Sequence, residues 1–287
     1  MNAKSILPFG NRTFIMGIIN LTPDSFSGDG LLSRENAVEA AAEQAIHFVE
    51  DGADILDLGA ESTRPGASRV EPQVELARLL PALKRILTLD MDVLISIDTS
   101  KAIVAHACLE AGAHIINDVW GLKQDADLAA IVAHHSAPVI LMHNRSNPDH
   151  VSRSQSLGNR YMGSHYQNLM QDIAQELQES VQIARQAGIT DNNIIIDPGI
   201  GFGKSVEQNM NIIKNLGQLK ELGYPILLGS SRKSFIGYTL DLPPEERLEG
   251  TAATVALGIA NGADIVRVHD VKEMSRVARM CDAILQS

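Results

Sequence analysis

Cysteine is almost absent: Cys108 and Cys281 are the only two, and they lie far apart. Both fall in helical patterns, so each reads as a small buried hydrophobe rather than half of a disulfide. This usage fits a reducing, cytoplasmic setting. No apolar run approaches the ~20 residues that cross a bilayer, so a membrane partner is not expected. Residues 1–10 carry only Lys4 and no apolar stretch, which makes a poor signal peptide. Positive charge is also short. Lys and Arg number 24 against 35 Asp and Glu, a net charge of −11. Phosphate contacts need a basic face, so nucleic acid is excluded as a partner. A small anionic substrate is not excluded, because a few focused basic groups hold one. Zinc-ligand spacings, a nucleophile elbow and a Walker loop are all missing.

What is present is regular. The 287 residues are 45% hydrophobic and 21% charged, which suits one domain over 1–287 with a large core. Short apolar runs mark strands at Phe14–Asn20, Asp54–Gly59, Val93–Asp98, His114–Val119, Pro138–His143, Asn193–Pro198, Pro225–Gly229 and Asp264–His269. Continuous runs such as Ile194-Ile195-Ile196 are what parallel strands covered on both faces require. Amphipathic stretches predict helices at Glu35–Asp51, Gln73–Leu89, Lys101–Ala111, Ala126–His135, Ser164–Ala187, Val206–Leu222, Arg247–Asn261 and Lys272–Leu285. Eight alternating pairs predict an α/β fold, a (β/α)8 TIM barrel. A weak repeat agrees: Gly52-Ala53, Gly112-Ala113 and Gly262-Ala263 each stand where a helix ends and a strand follows. Gly188 and Gly223 play a similar part, and Ser164/Gln167 and Ser205/Gln208 read as capping boxes.

The long polar stretches (21–33, 60–70 and 144–163) follow strands one, two and five, which puts them on the C-terminal face where barrel enzymes work. Strand after strand also ends on a polar residue: Asn20, Asp57 leading to Glu61, Asp98, Asn117-Asp118, His143, Asp197, Ser230-Ser231-Arg232-Lys233, then Arg267 and His269. Asp98 has a local alternative as a helix cap, and His143 as a structural histidine. Burying so many polar groups around one mouth is costly unless a ligand uses them. Asp and Asn pairs suit a flat heterocycle with donors and acceptors, and Asp197 can accept two N–H bonds from an aminopyrimidine-like edge. Lys233 and Arg232 bring charge and a stacking surface. Asn20, Arg267 and His269, on neighbouring first and last strands, suit a phosphate or diphosphate with Mg²⁺. Gly199-Ile200-Gly201-Phe202-Gly203 reads as close backbone approach to a ligand rather than a dinucleotide fingerprint. His134-His135 reads as a solvated or packing pair.

At these residues the sequence resembles the dihydropteroate synthases, the pterin-binding barrel enzymes of the folate pathway that sulfonamides block. The motifs run in register from Met16 to Lys272: Met16-Gly17-Ile18-Ile19-Asn20-Leu21-Thr22-Pro23-Asp24-Ser25-Phe26-Ser27, Gly59-Ala60-Glu61-Ser62-Thr63-Arg64-Pro65-Gly66, Ser96-Ile97-Asp98-Thr99, Ile115-Ile116-Asn117-Asp118, the segment Asp197–Lys204, Ser231-Arg232-Lys233-Ser234 and Arg267-Val268-His269-Asp270. The resemblance implies condensation of 4-aminobenzoate with (7,8-dihydropterin-6-yl)methyl diphosphate to give 7,8-dihydropteroate and diphosphate, with Mg²⁺. It also implies that Asp98, Asn117, Asp197 and Lys233 hold the pterin, with Met142 and Arg232 packing near its faces. Asn20, Arg267 and His269 would hold the diphosphate, Asn20 as the Mg²⁺ contact. Thr63, Arg64, Pro65, Phe202 and Ser234 would frame the aminobenzoate, and the loop Thr22–Gly30 would close over the site. Asp98, Lys233, Arg267 and His269 are the expected catalytic residues. A homodimer is common in the family, and the apolar last helices offer a face.

Three positions depart from the family pattern: Gly28-Asp29-Gly30, Asn144-Arg145-Ser146 and Ile200. Two other readings share parts of it. A methyltetrahydrofolate methyltransferase would share the pterin floor but not the Thr63–Gly66 loop together with Ser231–Ser234. A pterin-binding paralogue without turnover would not need Asn20, Arg267 and His269 intact.

Overall fold

A computed structural model describes residues 7–22, 34–67, 69–147 and 149–287. Eight parallel strands form the barrel staves: β1 (Phe14–Asn20), β2 (Ile55–Gly59), β3 (Leu94–Asp98), β4 (Ile115–Asp118), β5 (Val139–Met142), β6 (Ile194–Asp197), β7 (Leu227–Leu228) and β8 (Ile265–Val268). Each pairs with its successor, and β8 returns to β1 through Phe14↔Ile265, Ile15↔Val266, Met16↔Arg267 and Gly17↔Val268. Between β6 and β7 closure rests on the single parallel bridge Ile196↔Ile226. The eight staves match the expected strands in number, order and place; a short antiparallel pair, Val151–Ser152 with Arg160–Tyr161 in the loop after β5, was not expected.

The outer helices are α1 (Arg34–Glu50), α2 (Pro72–Leu87), α3 (Ala102–Glu110), α4 (Leu128–His134), α5 (Leu169–Gln186), α6 (Val206–Lys214), α7 (Ser234–Leu240), α8 (Leu248–Ala260) and α9 (Val271–Leu285). The Gly-Ala repeat ends helices as expected. At α3 the Gly112 N–H donates to the Leu109 carbonyl and the Ala113 N–H to that of Cys108, a Schellman closure. The same pair of bonds recurs at Gly262 and Ala263 on Ile259 and Gly258.

Four expectations need correction. α5 starts at Leu169, not Ser164, because Asn168 is its cap and the Ser164 hydroxyl donates instead to the Arg145 carbonyl. The stretch 206–222 is α6 followed by a 3-10 segment Leu216–Leu222, although its Ser205/Gln208 capping box forms as expected. Helix α7, a short segment with Gly237 in its middle, is additional. Of the two cysteines, both free, Cys108 is buried but Cys281 is only half-buried.

Strand alternation sorts the side chains into two shells. Ile15, Leu56, Leu58, Ile95, Ile97, Ile116, Leu141, Ile196, Leu228 and Val266 face the helices in the main core. Phe14, Met16, Ile55, Ile115, Ile140, Ile195, Leu227 and Ile265 fill the barrel's interior. Two residues further along each of these strands the next inward layer begins, and it is there that the chemistry changes.

Candidate active site

That next layer contains Ile18 on β1, Asp57 on β2, Asn117 on β4, Met142 on β5, Asp197 on β6, Gly229 after β7 and Arg267 on β8. Asp98, the last residue of β3, sits at the same level. The apolar interior thus gives way in one step to a polar floor, set by the two-residue period of the strands. The cavity above is lined by Ile18, Thr63, Asp98, Asn117, Val119, Met142, Asp197, Ile200, Phe202, Gly229, Ser231, Lys233, Arg267 and His269. Nine expected site residues line it. Arg64, Pro65, Arg232, Ser234 and Asn20 do not. Among the loop residues expected to close over the site, 23–30 lie outside the described residues.

The floor is a hydrogen-bonded unit. Arg267 Nε donates to Asp57 Oδ2 (2.6 Å) and Nη2 to Asp98 Oδ2 (2.9 Å). Asn117 Nδ2 donates to the same Asp57 oxygen at 3.1 Å. Asp57 is fully buried, and its other oxygen has no partner among the described residues. One N–H of the Asn117 amide is committed to Asp57, which leaves its carbonyl oxygen and its second N–H to offer a ligand. Likewise Arg267 keeps both N–H groups of Nη1 and the second of Nη2 for an anion. Arg267 was expected in an anion subgroup apart from Asp98; the geometry joins the two.

Burial raises the Asp98 carboxyl above its ordinary range, while Arg267 opposes this. Burial also pushes the Asp197 carboxyl up to about 6, against the Gly199 N–H and Lys233, which favour the charged form. Gly199 N donates to Asp197 Oδ1 at 2.7 Å. Burial lowers the Lys233 ammonium to about 8, with Arg267 acting in the same sense and Asp197 and Asp98 against it. Its Nζ stands 4.2 Å from the centre of the Phe202 ring, a cation–π contact that leaves the ammonium beside the cavity. Burial, then Arg267 and Arg232, hold the His269 imidazole down at about 3, so it is neutral at neutral pH. Its Nδ1 lies 3.0 Å from Ser231 Oγ. The same oxygen accepts from the His269 backbone N–H at 3.2 Å, and a hydroxyl proton turned to Nδ1 would leave the ring proton on Nε2 as a neutral donor.

Other polar strand ends prove structural. Asp118 accepts from Trp120 N (2.9 Å) and Leu122 N (2.6 Å), closing a turn. His143 lies away from the cavity between Lys204 Nζ (2.9 Å) and Glu176 (3.2 Å). Glu61 holds Lys101 and the Val70 N–H. Asp98 is not a helix cap, since Lys101 takes that position in α3. Arg232 engages Asp270 through Nε at 2.9 Å and stands outside the lining, and Ser234 opens α7. The Pro65 carbonyl accepts from Asn159 Nδ2 at 3.2 Å, tying the second loop to the fifth.

Gly199 and Gly203 pack against the loop after β5, while Gly201 stands against the Lys233 side chain beside the cavity. A Cβ on Gly199 would lie 1.9 Å from the His143 carbonyl oxygen, and one on Gly203 would lie 2.3 Å from the Arg145 carbonyl carbon. Gly199 and Gly203 thus let two mouth loops touch backbone to backbone.

Sequence reasoning gave no role to Ser231 or to the apolar lining of Ile18, Val119 and Ile200, and noted Asp57 only as polar. A hydroxyl or aliphatic residue carries no chemical signature in sequence. The two-residue offset from the interior layer was the available signal for Ile18 and Asp57.

A family described as pterin binding enzymes matches residues 16–269. A dihydropteroate synthase from Clostridium beijerinckii is 50% identical over 278 residues, covering 96% of each chain. A solved dihydropteroate synthase from Clostridium difficile, in the presence of pteroic acid, superposes with a TM-score of 0.88 at 46% identity, covering 97% of this chain and 99% of that one. One from Xanthomonas albilineans with 4-aminobenzoic acid gives 0.86 at 37% identity, over 96% and 94%.

Proposed function

The chain belongs to the pterin-binding enzymes, among their dihydropteroate synthases, and from that membership we propose how its barrel mouth works. The reaction is a transfer in folate synthesis: 4-aminobenzoate displaces diphosphate from (7,8-dihydropterin-6-yl)methyl diphosphate, giving 7,8-dihydropteroate. The observation that carries the reading is the floor itself, where the buried carboxylates Asp98 and Asp197 and the fixed amide of Asn117 face the cations Lys233 and Arg267.

Asp197 accepts N–H bonds from the pterin's amino edge, and the Asn117 carbonyl accepts from a ring N–H. Lys233 donates to the pterin's acceptors, and Met142 packs on the ring. Arg267 Nη1 and His269 Nε2–H bind the departing diphosphate. As the C–O bond breaks, the methylene becomes cation-like, and the Asp98 carboxylate stabilises it at close range. The arylamine is already a nucleophile, so no strong general base is required. We assign the step a dissociative character; strict inversion by an associative path at a chiral methylene would count against it.

Thr63, with Arg64 and Pro65 on the second loop, and Phe202 with Ser234 frame the aminobenzoate. Sulfonamides, which mimic it, are expected to compete there. Mg²⁺ fits the residues present: Asn20, a half-buried amide at the end of β1, offers one neutral oxygen, as suits an ion that keeps waters and binds mainly through phosphate. When bound, that ion would neutralise charge on the leaving diphosphate.

A homodimer is part of this proposal. The exposed apolar residues Leu257 of α8 and Met280, Ile284 and Leu285 of α9 provide a face, and a sedimentation measurement reads the assembly directly. A cytoplasmic setting accords with two free cysteines. Among the described residues no helix is long and apolar enough to cross a membrane.

The deciding assay combines purified protein, both substrates and Mg²⁺, and measures dihydropteroate and diphosphate. Equimolar product formation is expected. Pterin binding without product would leave a binding paralogue instead.

A further inference from the structure

On the barrel's flank, outside the cavity, three side chains meet that the sequence pattern left apart. His106 and Glu110 stand one turn apart on α3, and His135 follows the last turn of α4. His106 Nδ1 lies 3.0 Å from His135 Nε2, and that nitrogen lies 3.7 Å from Glu110 Oε1. All three ligand atoms fall within 4.8 Å of one another. Since each barrel helix runs opposite to its strands, these helix ends lie at the face opposite the mouth.

We propose that His106, Glu110 and His135 form a second metal site, for a borderline divalent ion such as Zn²⁺, that ties α3 to α4. The donor set is two imidazoles and a carboxylate, which suits transition ions; Mg²⁺ and Ca²⁺ prefer all-oxygen sites. The i, i+4 spacing puts His106 and Glu110 on one face of α3, toward α4. Two nitrogens on a tetrahedral zinc with bonds of about 2.0–2.1 Å stand roughly 3.3 Å apart. The 3.0 Å separation therefore needs to open by only a few tenths of an ångström. Three protein ligands leave a fourth position for water. His134, at 5.1 Å ring to ring from His135, is the remaining imidazole nearby and is not among the clustered donors.

Isothermal titration of the full chain with Zn²⁺ at neutral pH tests this. One equivalent is expected to bind, with a matching rise in Tm. Affinity should fall at least tenfold in the His106→Ala/His135→Ala double variant and fall in Glu110→Gln, while His134→Ala leaves it intact. Co²⁺ should give the intense visible bands of a four-coordinate site in the parent chain alone. Synthase turnover should be the same in the parent and the double variant, which also reports that the variant folds. Absence of zinc binding by the parent chain, or an unchanged affinity in the double variant, overturns the proposal.

Discussion

Arg267 Nη2 donates to Asp98 Oδ2 at 2.9 Å, joining a residue of β8 to one of β3 across the barrel mouth. The pair couples the group that receives the leaving anion to the carboxylate that faces the developing cation. Removing the charge at Asp98 therefore acts at both ends of the breaking bond. Asp98→Asn should lower kcat/KM by ~10²-fold or more. Asp57 acts through its neighbours, since one of its oxygens receives both Arg267 and Asn117. Asp57→Asn should mainly raise KM for the pterin diphosphate, and steady-state kinetics separates the two. Equal effects on kcat at both positions would remove the distinction.

The pH profile follows from three buried groups, Asp98, Asp197 and Lys233. Asp197 sits at about 6, so as pH falls through that value it takes up a proton and loses acceptor capacity. Lys233 sits at about 8, so as pH rises through that value its ammonium is lost. Asp98, needed as a carboxylate and raised to about 7 by burial, adds to the acid side, so kcat/KM, which reports the free enzyme, should be bell-shaped with its acid limb between about 6 and 7 and its alkaline limb near 8. Lys233→Arg should lift the alkaline limb out of range while lowering the plateau. A profile that stays flat from pH 5 to 9 would contradict these assignments.

Lys233→Ala should cost ~10²-fold or more in kcat/KM for the pterin diphosphate. Phe202→Leu, which removes the ring beneath the ammonium but not the charge, should cost less and fall mainly on aminobenzoate KM. Near-parent rates in Lys233→Ala would take that residue out of the site.

Arg247 carries a prediction about stability. It is almost fully buried, and its guanidinium donates to the carbonyls of Arg232 (3.0 Å), Leu157 (2.8 Å) and Leu242 (3.0 and 3.1 Å). It thus clamps the fifth loop and the Arg232–Lys233 turn to the start of α8. Arg247→Met leaves those carbonyls without donors, at a cost on the order of 3 kcal/mol. Thermal unfolding should show Tm lower by roughly 6–12 °C.

Gly199→Ala should be worse tolerated than its size suggests. Its φ is +70° and the new methyl group would overlap the His143 carbonyl. The backbone strain alone costs about 1–3 kcal/mol. The soluble yield and Tm should both fall, with pterin affinity following because Gly199 N is the Asp197 donor.

The staves were legible because strands buried on both faces must be written as apolar runs, and the Gly-Ala repeat marked where helices stop. The helix start at Leu169 was not legible, because Ser164 and Gln167 look like a cap in sequence while tertiary contacts recruit Ser164 elsewhere. Helix α7 was hidden by its shortness and by Gly237, which makes room for the Arg247 guanidinium. At the site, charged strand ends announced themselves, but their sorting did not. Asp98 and Asp118 are alike in sequence, yet one faces the cavity and the other closes a turn. The histidines 106 and 135 lie on separate helices with no shared motif, so only packing brings them together.

The seam between β6 and β7 has a dynamic consequence. Other neighbouring staves share two to five residue pairs, while this seam has the one bridge at Ile196 and Ile226. In native-state amide exchange it should be the first part of the wall to breathe. Its upper ends, Asp197 and Gly229, both line the cavity. A bound pterin would therefore act as a rivet across the weakest joint, and the slowing of exchange it brings should be concentrated along that line.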